Sequence, residues 1–179
     1  MKKNILSLFL CSSLFYFATA QEKAAGPIIK DYGKVFKVEN TDFKIDKKQD
    51  FKAVFDVMNT PEGHETINPY IETAARFLNM HAQVGVPKEQ LQAAIILHNL
   101  AAKDVMNTTA YTIKYGVKNP NAELIKALLE AEVQVILCGQ SAMSRGIAKE
   151  ELIEGVQFSL SAMTALIQLQ NENYRLIKF

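Results

Sequence analysis

Three short apolar runs constrain this chain more than any other feature. FKAVFDVM begins at Phe51, LQAAIILHN begins at Leu91 and ends its apolar part at His98, and VQVILC ends at Cys138. Each is rich in Val, Ile, Leu, Phe or Ala and too short for a buried helix, so each reads as a buried strand. Helical stretches lie between them. Asn68-Pro69 reads as an N-cap followed by proline at the first helical position, and Ile71, Ala74, Ala75, Leu78 and Ala82 then share one face up to Gly85. A mixed helical region runs from Ala101 to Tyr115 and breaks at Gly116. Asn119-Pro120 repeats the cap signature ahead of a stripe of Leu124, Ile125, Leu128 and Leu129. A short helix after Cys138 ends near Gly146, and KEELIE adds a helical turn. GVQFSL reads as a fourth strand, Ser161 as the cap of a helix through Leu169, and YRLIKF as a fifth strand. Strands alternating with helices predict an α/β fold with a parallel sheet, helices on both faces and right-handed crossovers.

The N-terminal region stands apart from this pattern. Lys2 and Lys3 precede a mostly apolar run from Ile5 to Phe17, and Ala18-Thr19-Ala20 forms a cleavage site ahead of Gln21. Residues 1–20 therefore read as a secretory signal peptide, too short in its apolar part for a comfortable span. The expected location is the bacterial envelope, most simply the periplasm, with no stable membrane span after cleavage. Leu10 ahead of Cys11 is too large for the usual lipoprotein site. Residues 21–33 read as a linker, and the stretch from Gly33 to Asp46 as a small hairpin or extended arm. Residues 51–179 form the main domain.

Cleavage removes Lys2 and Lys3 and turns the net charge of +1 into −1. That balance offers no electrostatic case for nucleic acid or an anionic membrane. Cleavage also removes Cys11, which leaves Cys138 alone and excludes an intramolecular disulfide. An unpaired cysteine in an exported chain points to a reactive thiol, an intermolecular partner or a small buried hydrophobe.

In open parallel sheets, sites form at the carboxyl ends of strands. The ends here are Met58-Asn59, His98-Asn99 and Cys138-Gly139. A helix starting at Gly139-Gln140-Ser141 would point free N–H groups at the sulfur and acidify it. Gly139 permits close approach of backbone or ligand. Arg145 would add positive charge, and His98 is the candidate base or hydrogen-bond partner. The expected catalytic residues are thus Cys138, His98 and Arg145, with Asn59, Asn99, Gly139, Gln140 and Ser141 around the substrate. His64 lies in a breaker-rich loop and reads as exposed, and His81 reads as packed on a helix. No C-x-x-C or H-x-x-H pair supports a metal, and no G-x-G-x-x-G, P-loop or G-x-S-x-G follows any strand. No cofactor is expected.

VILCGQSAMSRGI resembles the DsrE/DsrF-like family, whose sulfur-relay members carry a cysteine after a strand, small residues and then an Arg-Gly pair; the matching positions are Cys138, Ala142 and Arg145-Gly146. NPNAELIKALLEAEVQV, FKAVFDV, the strand ending in His98 and LIQLQNENYRLIKF extend the likeness over residues 51–179. The resemblance implies a three-layer α/β/α sandwich around a five-stranded, mainly parallel sheet, often assembled into homo- or hetero-oligomers. It also implies that Cys138 accepts and passes on persulfide sulfur, with donor and acceptor thiols or small sulfur anions as partners. Two departures stand out. Relay members of the family work in the cytoplasm, and Gly139-Gln140-Ser141 replaces a more apolar stretch. The alternative is a non-enzymatic small-ligand-binding or assembly subunit that keeps the fold without the relay.

Overall fold

The computed structural model describes residues 21–178; the signal-peptide reading of residues 1–20 falls outside them. Strands β1 (Phe51–Val57), β2 (Leu91–Leu97), β3 (Gln134–Cys138), β4 (Gln157–Ser159) and β5 (Arg175–Ile177) form one sheet in the order β4-β3-β2-β1-β5. Every pairing is parallel. The five strands are those expected from the sequence, and the first three lie side by side. The edge strands β4 and β5 have three residues each, which limits the unpaired backbone offered to other chains.

Alternation along the strands sends side chains to two different layers. Ala53, Phe55, Ala93, Ile95, Leu97, Val135 and Leu137 face α1 (Pro69–Gln83), α2 (Thr108–Tyr115), α3 (Ala122–Glu130) and a 3-10 helix at Asn99–Val105. Val54, Ala94, Ile96, Ile136 and Cys138 face α5 (Ala162–Asn171). The small side chains of Ala94, Ala162 and Ala165 let that single helix sit close to the sheet. The short α4 (Gly139–Arg145) leaves the end of β3 and stops at Gly146 in a left-handed conformation, φ 59°. Because both faces are covered, β2 is apolar almost without interruption.

The caps match the sequence at α1 and α5. Asn68 Oδ1 accepts from Tyr70 N at 3.0 Å, and Ser161 Oγ accepts from Thr164 N at 3.0 Å. The cap expected at Asn119-Pro120 is displaced. α3 begins at Ala122, and Asn119 instead donates to the carbonyls of Asp104 and Met106 while accepting from Asn121 N at 2.9 Å. An amide committed to two carbonyls closes a turn rather than a helix.

The segment expected as a free linker is docked in its second half. Ile29 is buried, and Ala24 bridges Val35 in antiparallel fashion. The Asn79 side chain accepts from Ile29 N and donates to the carbonyls of Ile29, Tyr32 and Gly33. Gly33 lies so close to α1 that a Cβ there would fall 2.5 Å from the Ala75 carbonyl carbon. Residues 36–50 form no strand, so no hairpin is present there.

Candidate functional site

Cys138 is the last residue of β3 and the N-cap residue of α4. Its neighbour β4 continues into Ser161 and α5, so a second helix start arrives at the same place. Burial pushes the Cys138 thiol up. Hydrogen bonds from the Ser141 N–H and hydroxyl, the Ala162 N–H and the Gln140 N–H outweigh that effect and hold it below its ordinary value. Two helix N-termini thus direct N–H groups at one sulfur, an arrangement that favours the thiolate form. Ser141 is fixed in turn, since its Oγ accepts from Asn99 N at 2.9 Å.

Cys138 opens into a cavity of about 330 Å³ shared with Asp56, His98, Gln140, Ala162, Met163 and Leu166. His98, which follows β2, therefore shares a cavity with Cys138. Its Nε2 lies 2.7 Å from Asp56 Oδ1, and Lys178 Nζ lies 3.0 Å from Asp56 Oδ2. Burial pushes the Asp56 carboxyl up, but hydrogen bonds from Lys178 and His98 and their charges hold it below the usual range. Asp56 remains a carboxylate that orients the imidazole.

Sequence reasoning missed Asp56 and Lys178; it placed the start of α5 at Ser161 but not the approach of the Ala162 N–H to the sulfur. The signal for Asp56 is the single acidic residue inside the apolar run FKAVFDV. Lys178 and Ala162 carry no local signal, because only the sheet order brings them to β1 and β3.

The other expected residues divide. Gln140 lines the cavity and reaches toward the Leu160 carbonyl. Gly139 is pressed against β4, where a Cβ would fall 2.5 Å from Ser159 O and 2.9 Å from the Phe158 ring. Asn99 acts through Ser141, and Asn59 offers its carbonyl to Asn68 Nδ2 at 2.9 Å, outside the cavity lining. Arg145 does not reach the sulfur. It ends α4 and donates from Nη2 to Asn99 Oδ1 at 2.8 Å, because a seven-residue helix turns its last side chain toward the Asn99–Val105 layer. His64 stacks on Tyr115 at 4.3 Å between centroids, and His81 packs against Phe51 and Phe77. Among the described residues no group of His, Cys, Asp and Glu is arranged to hold a metal, and no helix is long and apolar enough to cross a membrane.

The same architecture occurs in solved structures. A protein of unknown function from Methanobacterium thermoautotrophicum, MTH1491, matches with a TM-score of 0.55 at 14% identity, over 73% of this chain and 100% of its own. The ychN protein from E. coli matches with a TM-score of 0.52 at 21% identity, over 72% of this chain and 99% of its own. At such identities the likeness concerns the fold. No curated protein matches the sequence. The model of the DsrE/DsrF-like family matches residues 52–179, from the second residue of β1 past β5, and the chain belongs to that family.

Proposed function

We propose that this protein is a thiol-based sulfur carrier of the bacterial envelope, with Cys138 as the persulfide site. One observation carries the reading: the sulfur sits under N–H groups from two helix starts and faces a cavity large enough for an added sulfur atom. Family membership supports a role related to sulfur relay.

The Cys138 thiolate attacks the outer sulfur of a persulfide or polysulfide donor. A new S–S bond forms at Cys138 while the donor's S–S bond breaks, and the donor leaves as a thiolate. The bound persulfide is anionic near neutral pH, and the N–H groups of Gln140, Ser141 and Ala162 hold that charge. In the second step an acceptor thiolate or small sulfur anion attacks the outer sulfur, and Cys138 leaves as a thiolate. His98 supplies or removes the proton that donor or acceptor exchanges, with Asp56 fixing its ring. Gln140 and Ser141 border the approaching group, and Asn99 and Arg145 position Ser141.

Mass spectrometry after polysulfide treatment tests this. The wild-type chain should gain sulfur and the Cys138→Ser chain should not. Absence of an adduct on native wild-type protein overturns the carrier and favours a binding or assembly subunit of the same fold. The envelope location rests on residues 1–20, and N-terminal sequencing of envelope material should begin at Gln21. Protein starting at Met1 and confined to the cytosol would overturn it. Self-association, implied by the family resemblance, belongs to the same reading; light scattering should show a multimer, and a monomer at every accessible concentration would remove it.

A further inference from the structure

A second cavity is larger than the one at Cys138. It measures about 1010 Å³ and lies on the opposite face of the sheet, between α1 and the β1–β5 edge. It exists because α1 packs over β2 and β1, while β5 lies one strand further out. Register places Arg175 beside Ala53 and Ile177 beside Phe55, so both β5 side chains face the α1 layer. The floor and wall are apolar: Phe51, Phe55, Phe77, Met80 and Ile177 line the space, and Met80 is 45% exposed.

The charges at this groove are unequal. Arg76, Arg175 and Lys52 line it against the carboxylate of Asp50. Arg76 is engaged by the Pro69 carbonyl at 3.1 Å and by Glu72 at 3.6 Å, and Lys52 stacks over Tyr174. Arg175 makes no ion pair among the described residues. A guanidinium at a register position flanked by apolar neighbours, on an edge strand facing an aromatic groove, is matched by a ligand with an apolar body and one anionic end. The cavity is of the size that holds small-molecule ligands.

We propose that this groove binds a long-chain carboxylate, its acyl chain against Phe51, Phe55 and Phe77 and its head group on Arg175. The site is separate from Cys138 and does not depend on the carrier reading.

Calorimetric titration of the purified chain with dodecanoate, below its critical micelle concentration, tests the assignment. Binding should weaken about fourfold for each methylene removed, read by comparison with decanoate. Arg175→Gln should weaken decanoate at least tenfold and leave neutral 1-decanol unchanged. Met80→Glu, at an exposed wall position, should abolish dodecanoate binding, whereas Ile167→Glu on the exposed side of α5 should not alter it. Circular dichroism establishes that each variant is folded. The proposal is overturned if dodecanoate fails to bind, if Met80→Glu binds it like the wild type, or if Ile167→Glu weakens it equally. An equal effect of Arg175→Gln on 1-decanol overturns the head-group assignment. A wild-type multimer that Met80→Glu disperses assigns the groove to a second copy of the chain and also overturns the ligand.

Discussion

The Asp56 carboxylate stands between an imidazole and an ammonium, 2.7 Å from Nε2 of His98 and 3.0 Å from Nζ of Lys178. Its pKa is depressed in the folded chain, although burial alone would raise it. The stabilisation it contributes is therefore present above the unfolded carboxylate value of about 3.9 and is lost as pH falls through the lower folded value. Asp56→Asn should cost about 1 kcal/mol at pH 7, a modest figure because Lys178 is largely exposed. The difference should close at strongly acidic pH. Urea denaturation at both pH values measures it, and a gap that ignores pH would show that charge contributes nothing.

Cys138 should react with iodoacetamide at rates that persist below neutral pH, since hydrogen bonds hold its thiol below the ordinary value. Ser141→Ala removes one of those donors and should slow the reaction at pH 6 by roughly tenfold. Arg145→Ala should change it by no more than about twofold, because that guanidinium is engaged by Asn99. Rate against pH for the three proteins decides the matter. A wild-type thiol that titrates like free cysteine, or reacts only on unfolding, would leave Cys138 a packed residue.

Gly139→Ala places a methyl group 2.5 Å from the Ser159 carbonyl oxygen and 2.9 Å from the Phe158 ring. Backbone of β4 must move away from β3 to admit it. The expected cost is about 2 kcal/mol, with alkylation of Cys138 altered as the start of α5 shifts. Thermal unfolding reads the first effect; an unchanged midpoint would mean that β4 yields freely.

Asp104 is buried under α1's entry loop, where it accepts from Thr60 Oγ1 at 3.1 Å and Asn68 Nδ2 at 2.7 Å. Burial raises its pKa from 3.8 to about 6 despite those bonds. A raised folded pKa favours the protonated form, so this contribution is complete below the unfolded value and is lost as pH rises through about 6. The shift corresponds to about 3 kcal/mol at most. Asp104→Asn cannot titrate, so the stability of the wild type relative to that variant should decline between pH 4 and pH 7. Denaturation across that window tests it, and a flat difference would contradict the raised value.

The sheet was legible because its strands are buried on both faces and therefore read as apolar runs. β2 shows this best, with Ala93 to Leu97 buried throughout. The position of Cys138 at a strand end was legible for the same reason. What surrounds the sulfur was only partly so. Gln140 and Ser141 follow it in the chain, so a helix start brings them in. Ala162 arrives through the β3–β4 pairing and Lys178 through the β1–β5 pairing, and neither register is written in a local pattern. The place of Arg145 is not legible from its distance along the helix, because its azimuth points it to Asn99. The docking of residues 29–33 was hidden by their composition, since the partners are Asn79 and Glu72 on a helix far along the chain.

That asparagine has a consequence for how the N-terminal segment behaves in time. Asn79 bonds Ile29, Tyr32 and Gly33 through one wholly buried side chain, and Gly33 N also donates to Glu72 Oε1 on the same helix. Releasing Ile29, Tyr32 and Gly33 together leaves that buried amide without its partners, which penalises their opening. The amides of Ile29 and Gly33, bonded to Asn79 and Glu72 of one helix, should therefore show similar opening free energies in native-state hydrogen exchange.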